Sequence, residues 1–534
     1  MKKSVQLYDT TLRDGTQGTG ISFSVQDKIR VAERLDAFGI DYIEGGFPGS
    51  NPKDAEFFRE ARRRAWKHAK IAAFGATRRG SMKVGSDPQV KLLLDAETPA
   101  VTIVGKTWPI QVTEVLGVTL EENLAMIAET VEYLKNHGRE VFYDAEHFFD
   151  SYRHDPVYSL ATLKAAHQAG ADLCVLCDTN GGSLPEFVAR ATSEVVAALG
   201  APAGIHTHND CGLGVANALA AVQAGATQVQ GTINGYGERV GNCDLVTVAA
   251  NLQLKMGAPV VEDLTQLREL SLFVDELANV PHNIRAPYVG SAAFTHKGGQ
   301  HVHAVQKLSS SYEHVDPTLV GNRQTIVVSD LSGQSNVLAK TRELGLALEK
   351  GAPEVVKTLA EIKRLENEGY EFEAADGSFD LLVRKTLGIW RPLFDLKEYH
   401  CTFRYAPSPG AFSPTPPHGA SAASVNTCEA TVKLLVDGTP EYTVAEGDGP
   451  VNALDAALRK ALRPFYDWID QLSLTDYKVR IVDGREGTAA RTRVLIESTD
   501  GHSSWGTVGV SGNIIEASWQ ALVDSFEYYG NAKR

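Results

Sequence analysis

From Lys3 to about Met256, short apolar runs alternate with longer stretches whose apolar positions recur every three or four residues. Eight of the short runs read as strands: "SVQLYD", "DYIEGGF", "KIAAFG", "AVTIVGK", "EVFYDAE", "DLCVLCDT", "AGIHTHND" and "TQVQGTIN". Between them lie helix-period patterns such as "SVQDKIRVAERLDAFG", where Ser24 is a candidate N-cap and Gly39 a stop. Eight strands, each followed by a helix, within roughly 250 residues is the size and count of a (β/α)8 TIM barrel. Residues 1–260 are predicted to form one. An open doubly wound sheet usually needs G-x-G-x-x-G after its first strand, and "LRDGTQGTG" lacks it there.

Past about Val260 the alternation stops. Residues 261–404 read as mainly helical accessory subdomains, and 405–424, "YAPSPGAFSPTPPHGASAAS", as a Pro-rich linker. Over 425–534 strand-like runs lead into the helix pattern "PVNALDAALRKALRPF". The same order then repeats before "NIIEASWQALVDSFEYYG". Two similar β-then-α units predict a duplicated α+β domain appended to the barrel.

A chain of 534 residues exceeds what one core serves, so several domains are expected. With 52 basic and 66 acidic residues the formal charge is −14, which argues against nucleic acid or an anionic membrane as the main partner. No run of about 18 apolar residues and no secretory pattern is present, so the expectation is a cytoplasmic protein. Cys174 and Cys177 form a C-x-x-C, but on a strand residues three apart face opposite ways, so they read as structural.

A barrel gathers the carboxyl ends of its strands on one face, where such enzymes do their chemistry. Sorted by that rule, the polar residues there are Arg13, Asp14 and Gln17 after strand 1, Glu44 on strand 2, and Glu146 on strand 5. Asp178, Thr179 and Asn180 follow strand 6, "HTHND" ends strand 7, and Asn242 follows strand 8. An H-x-H pair is often mere packing. On a strand, however, residues two apart point the same way, so His206 and His208 can reach one point over the barrel mouth. The predicted ligand set is Asp14, His206 and His208, completed by the Asn242 carbonyl oxygen or water. Nitrogen and oxygen donors without thiolate suit zinc, manganese, cobalt or magnesium. Arg13, otherwise a solvated turn residue, would then present a fixed cation to an oxygen held on that metal.

"YDTTLRDGTQ", "DYIEGGFPGSNPKD", "CDTNGG", "HTHNDCGLGVANALAAVQAGATQVQGTINGYGERVGN" and "FTHKGGQHVHAV" resemble the metal-dependent condensing family of 2-isopropylmalate, homocitrate and citramalate synthases. "GGFPGSNPKD" and "GKTWPIQVTEVL" look most like its citramalate synthase branch. The resemblance implies condensation of acetyl-CoA with pyruvate to (R)-citramalate, feeding isoleucine biosynthesis. It further implies that Thr179 binds the acceptor carboxylate, that Arg13 faces its keto oxygen, and that Glu146, His301 and Tyr312 form an acid/base set. Gln17 and Glu44 would orient Arg13 and the ligands. A homodimer with shared active sites and an isoleucine-binding C-terminal domain are likewise implied. A 2-isopropylmalate synthase using 2-oxoisovalerate and a non-catalytic amino-acid sensor are the alternatives.

Overall fold

The computed structural model describes residues 4–406 and 425–533, apart from positions 330, 344, 347, 483–486, 488 and 489. The chain divides into two compact units, residues 1–294 with 313–324, and residues 295–312 with 325–534.

In the first unit eight parallel strands close into a barrel. They are β1 (Gln6–Asp9), β2 (Tyr42–Gly46), β3 (Lys70–Ala76), β4 (Ala100–Lys106), β5 (Glu140–Glu146), β6 (Leu173–Asp178), β7 (Ala203–Thr207) and β8 (Ala226–Gly231). The ring closes by pairing β1 with β8, Leu7 opposite Val229 and Asp9 opposite Gly231. Leu7, Ile43, Ile71, Val101 and Ile103 pack outward into the core shared with the helices. Tyr8, Tyr42, Ala72, Ala100, Phe142 and Val175 form a separate core inside the barrel. Tyr8 stacks on Tyr42, and Phe142 meets both edge-on, so the barrel floor is filled. Two residues further along β2 and β5 the inward positions are Glu44 and Asp144, and the interior changes from apolar to ionisable toward the strands' carboxyl ends.

The helix Val25–Phe38 begins and ends as its sequence predicts. Ser24 and Asp27 form a reciprocal capping box, and Gly39 closes it at φ 100°. On this helix the buried Lys28 Nζ reaches Asp54 Oδ1 at 2.5 Å and the Gly45 carbonyl at 3.1 Å, fixing the end of β2. Gly46 sits at φ 150°, and a Cβ there would come within 2.4 Å of Asp54 Cγ. The "EGGF" stretch therefore requires a glycine at that position.

The second unit carries a short parallel pair, β9 (Thr295–His296) and β10 (Thr325–Ile326), and the helices Gly299–Lys307, Gln334–Glu343, Pro353–Asn367 and Asp376–Leu387. The expected helical character of 261–404 does not extend to its end. β11 (Asp395–Ala406) is a strand that pairs with β12 (Val425–Val436), Ala406 opposite Val425, and β13 (Thr439–Gly447) completes the sheet. The stretch expected as an interdomain linker, which lies outside the described residues from 407 to 424, thus connects two neighbouring strands of one sheet. Proline and serine mark where regular structure stops and carry no information on whether the flanks rejoin.

With β11 added, the duplication is regular. β11–β13 precede the helix Pro450–Leu462, and β14 (Ser473–Ile481), β15 (Thr492–Thr499) and β16 (Ser504–Ser511) precede the helix Ile514–Lys533. Val432, Leu454 and Leu458 of the first repeat share one core with Val494, Leu522 and Phe526 of the second. Among the described residues no helix is long and apolar enough to cross a membrane.

Candidate metal centre and active site

After β1 the chain turns at once. Thr11 bonds back to the Asp9 carboxylate through its amide and its hydroxyl, and the Arg13 and Gly15 amides both donate to the Thr10 carbonyl. This tight turn aims Asp14 over the barrel. The next-to-last residue of β7, His206, and the residue just beyond the strand, His208, arrive from across the ring. Ligand atoms of Asp14, His206 and His208 all lie within 4.8 Å of one another, and all three residues are buried. His206 Nε2 is 3.4 Å and His208 Nε2 3.9 Å from Asp14 Oδ2.

Asn242 is brought alongside by an isolated antiparallel bridge to His208. The glycine-rich loop before it allows the approach. Gly237 lies at φ 148°, where a Cβ would meet Asn242 Nδ2 at 2.1 Å. Asp14 Oδ1 and Asn242 Oδ1 are both buried without a hydrogen-bond partner. Two stranded acceptors beside two imidazoles fit a divalent cation, which satisfies acceptors and takes neutral nitrogens. The electrostatics agree. Burial works to raise the Asp14 carboxyl, but Arg13 and the two histidines hold it far below the usual carboxylate range. Burial and the neighbouring His206 push His208 down to about 4.

Arg13 is held on two sides. Its Nε donates to Glu44 Oε1 at 2.5 Å, and its Cζ lies 3.8 Å over the Phe74 ring. Its Nη1 stands 3.5 Å from Asp14 Oδ2. Of the two residues expected to orient it, Glu44 makes the Nε bond, whereas Gln17 is exposed at the rim of the same cavity and makes no hydrogen bond to the guanidinium. Arg13, Asp14, Glu146, Thr179, His206 and His208 all line this cavity of about 270 Å³. Thr179 Oγ1 accepts from the His147 amide at 2.8 Å and keeps its own proton. Glu146 is ion-paired with Lys106 at the end of β4. Glu146 and Val104 also line a neighbouring cavity of about 730 Å³ that Arg78 and Arg79 border.

Three residues of the site went unread in the sequence. Asp144, two positions before Glu146 and therefore on the same strand face, lines the cavity, and burial pushes its carboxyl up to about 7. Gln230 bonds to His206 Nδ1. Arg239 grips Asp210 through two nitrogens, donates to the Thr179 carbonyl and lies 3.0 Å from His208 Nδ1. The alternation of "TQVQG" and "FYDAE" carries the signal for the first two; nothing local marks Arg239. His301 and Tyr312 belong to the second unit, where their rings stack with centroids 4.2 Å apart.

Comparison with known proteins places this geometry. An HMGL-like family model matches residues 4–274, and a homocitrate synthase post-HMGL domain-like model matches 288–369. A LeuA allosteric (dimerisation) domain model matches 418–529. An (R)-citramalate synthase of Aquifex aeolicus is 52% identical over 99% of this chain and 98% of its own, and one of Geobacter sulfurreducens is 51% identical over 98% and 97%. The chain belongs to the HMGL-like family, in its (R)-citramalate synthase branch. A probable 2-isopropylmalate synthase of Methanopyrus kandleri is more distant, 32% identical over 98% of each chain.

Proposed function

We propose that this chain condenses acetyl-CoA and pyruvate, with water, to (R)-citramalate and free CoA. The reading is carried by the buried group of Asp14, His206 and His208 with the Arg13 guanidinium against it, in a chain of this branch. These residues with Asn242 would hold a divalent cation, which would supply a template and Lewis acidity for the 2-oxo acid. Arg13 faces the keto oxygen, where negative charge grows as the carbon–carbon bond forms, so its stabilisation rises toward the transition state. The free hydroxyl proton of Thr179 serves the acceptor carboxylate. Glu146, with His301 and Tyr312, moves the proton from the acetyl methyl. That carbon then attacks the keto carbon, and water cleaves the thioester to release the thiol.

The functional unit is a homodimer with shared active sites, and isoleucine is the effector. The match to a LeuA allosteric (dimerisation) domain supports a dimer under allosteric control. Linkage makes the coupling reciprocal, so bound substrate and bound isoleucine oppose one another equally. The relatives are synthases by name, which favours an enzyme over a non-catalytic sensor. The test is thiol release from acetyl-CoA against a panel of 2-oxo acids, with and without chelator. Chelator-sensitive turnover of pyruvate supports the reading. A preference for 2-oxoisovalerate moves the assignment to 2-isopropylmalate synthesis, and no turnover at all returns it to a sensor.

A further inference from the structure

We propose that Gln230, anchored by Asp144, is a positioning residue that keeps the His206 ring proton on Nδ1 and leaves Nε2 free for the cation. The inference rests on the metal reading above and adds two residues to it.

Hydrogen-bond polarity sets the direction of each contact. Gln230 lies between two groups, with Oε1 2.9 Å from His206 Nδ1 and Nε2 3.2 Å from Asp144 Oδ1. Ionised at alkaline pH, the Asp144 carboxylate can only accept, so the amide end of Gln230 must face Asp144 and the carbonyl end must face the ring. A carbonyl also only accepts, so Nδ1 must donate. In a neutral imidazole that strips the proton from Nε2, the nitrogen that points at Asp14. All three side chains are buried, Gln230 completely.

Asp14 opposes this arrangement. Its Oδ2, 3.4 Å from His206 Nε2, attracts the ring proton in the metal-free chain, and Gln230 Oε1 is the acceptor that competes for it at Nδ1. His208 provides the contrast within the same site. Its Nδ1 is 3.0 Å from Arg239 Nη2, and a guanidinium only donates, so a neutral His208 carries its proton on Nε2. The two imidazoles are thus set in opposite tautomers. His206 is ready for the cation, whereas His208 must give up its contact with Arg239 or exchange its proton.

The experiment is imidazole 15N NMR of the full-length, metal-free protein at alkaline pH, paired with Mn2+ titration. In the unaltered chain His206 is expected as the Nδ1–H form and His208 as the Nε2–H form. Gln230→Leu should move His206 toward Nε2–H, leave His208 unchanged, and weaken Mn2+ binding about 10- to 100-fold. Gln230→Glu, which keeps an acceptor at Nδ1, should retain the His206 tautomer. An Nε2–H signal for His206 in the unaltered protein, which needs no variant to fold, overturns the proposal. So does a Gln230→Leu protein with unchanged tautomer and unchanged Mn2+ affinity. An unaltered chain that binds none of Zn2+, Mn2+, Co2+ and Mg2+ while showing the expected tautomers overturns the metal reading itself, and with it the role given to Gln230.

Discussion

Arg13 donates from Nε to a Glu44 carboxylate 2.5 Å away that is wholly shut off from solvent and also accepts from the Tyr8 hydroxyl at 2.9 Å. A buried ion pair of this kind is poor evidence for stability, since desolvating both ions offsets much of their attraction. Its effect here is on geometry. Bonded at Nε and backed by Phe74, the guanidinium keeps its remaining nitrogens for the cavity. Arg13→Lys keeps the charge but loses the planar fork. The expected result is a fall in kcat of about 10²–10³ with the acceptor KM changed far less, read in steady-state thiol release.

Demetallation should abolish turnover, and one or more of zinc, manganese, cobalt and magnesium should restore it. Because the ligands exist only in the folded chain, saturating metal should also raise the melting temperature. Asp14→Asn and His208→Ala should lose both the rescue and the thermal shift. Full activity after exhaustive chelation would sink the metal reading.

Lys28 and Asp54 form a second buried pair, and it holds the strand end that carries Glu44. Lys28→Met strands the Asp54 carboxylate and should cost about 3–5 kcal/mol in urea unfolding. The double variant Lys28→Met/Asp54→Leu should cost less than that single change, because neither charge is then left buried alone. Losses that simply add across Lys28→Met, Asp54→Leu and the double variant would show that the pair is not coupled.

In the second unit, burial pushes the Glu527 carboxyl from its ordinary 4.5 up to about 7, while the Leu393 amide and the Trp390 indole donate to it. The unfolded chain releases this proton near pH 4.5 and the folded chain holds it until about pH 7. Stability therefore falls as pH rises across that window, by at most about 3 kcal/mol from this group. Comparing Glu527→Gln with the unaltered chain cancels other titrations. The difference should shift in favour of the glutamine variant between pH 5 and 8, and a flat difference in denaturant midpoints would contradict the assignment.

Shared active sites make a complementation prediction. His301→Ala chains mixed with Arg13→Ala chains should regain part of the activity that each homodimer lacks. Confirmed mixed dimers that stay inactive would place His301 and Tyr312 in the same site as their own barrel, or outside catalysis.

Much of this was legible along the chain because the deciding interactions are local. All eight barrel strands follow from apolar runs, the first helix from Ser24, Asp27 and Gly39, and the clustering of Asp14, His206 and His208 from the rule that barrel strands share one carboxyl-end face. Where a contact spans the ring, the local pattern is silent. Gln230 on β8 and Asp144 on β5 meet only because the barrel closes, and Arg239 reaches His208 only through the folding of a glycine-rich loop. β11 was missed for a related reason: its residues alternate as Tyr399, Cys401 and Phe403, yet its partner strand begins beyond a long polar stretch.

Periodicity, caps and strand facing are properties of neighbours in the chain, and they were enough for the barrel, the repeat at the carboxyl end and the grouping of one carboxylate with two imidazoles. Only the tertiary structure decided that Glu44 rather than Gln17 holds Arg13, and which nitrogen of His206 is free. Those outcomes depend on which donors and acceptors are left facing one another once water has been excluded, and that is settled by packing between distant strands.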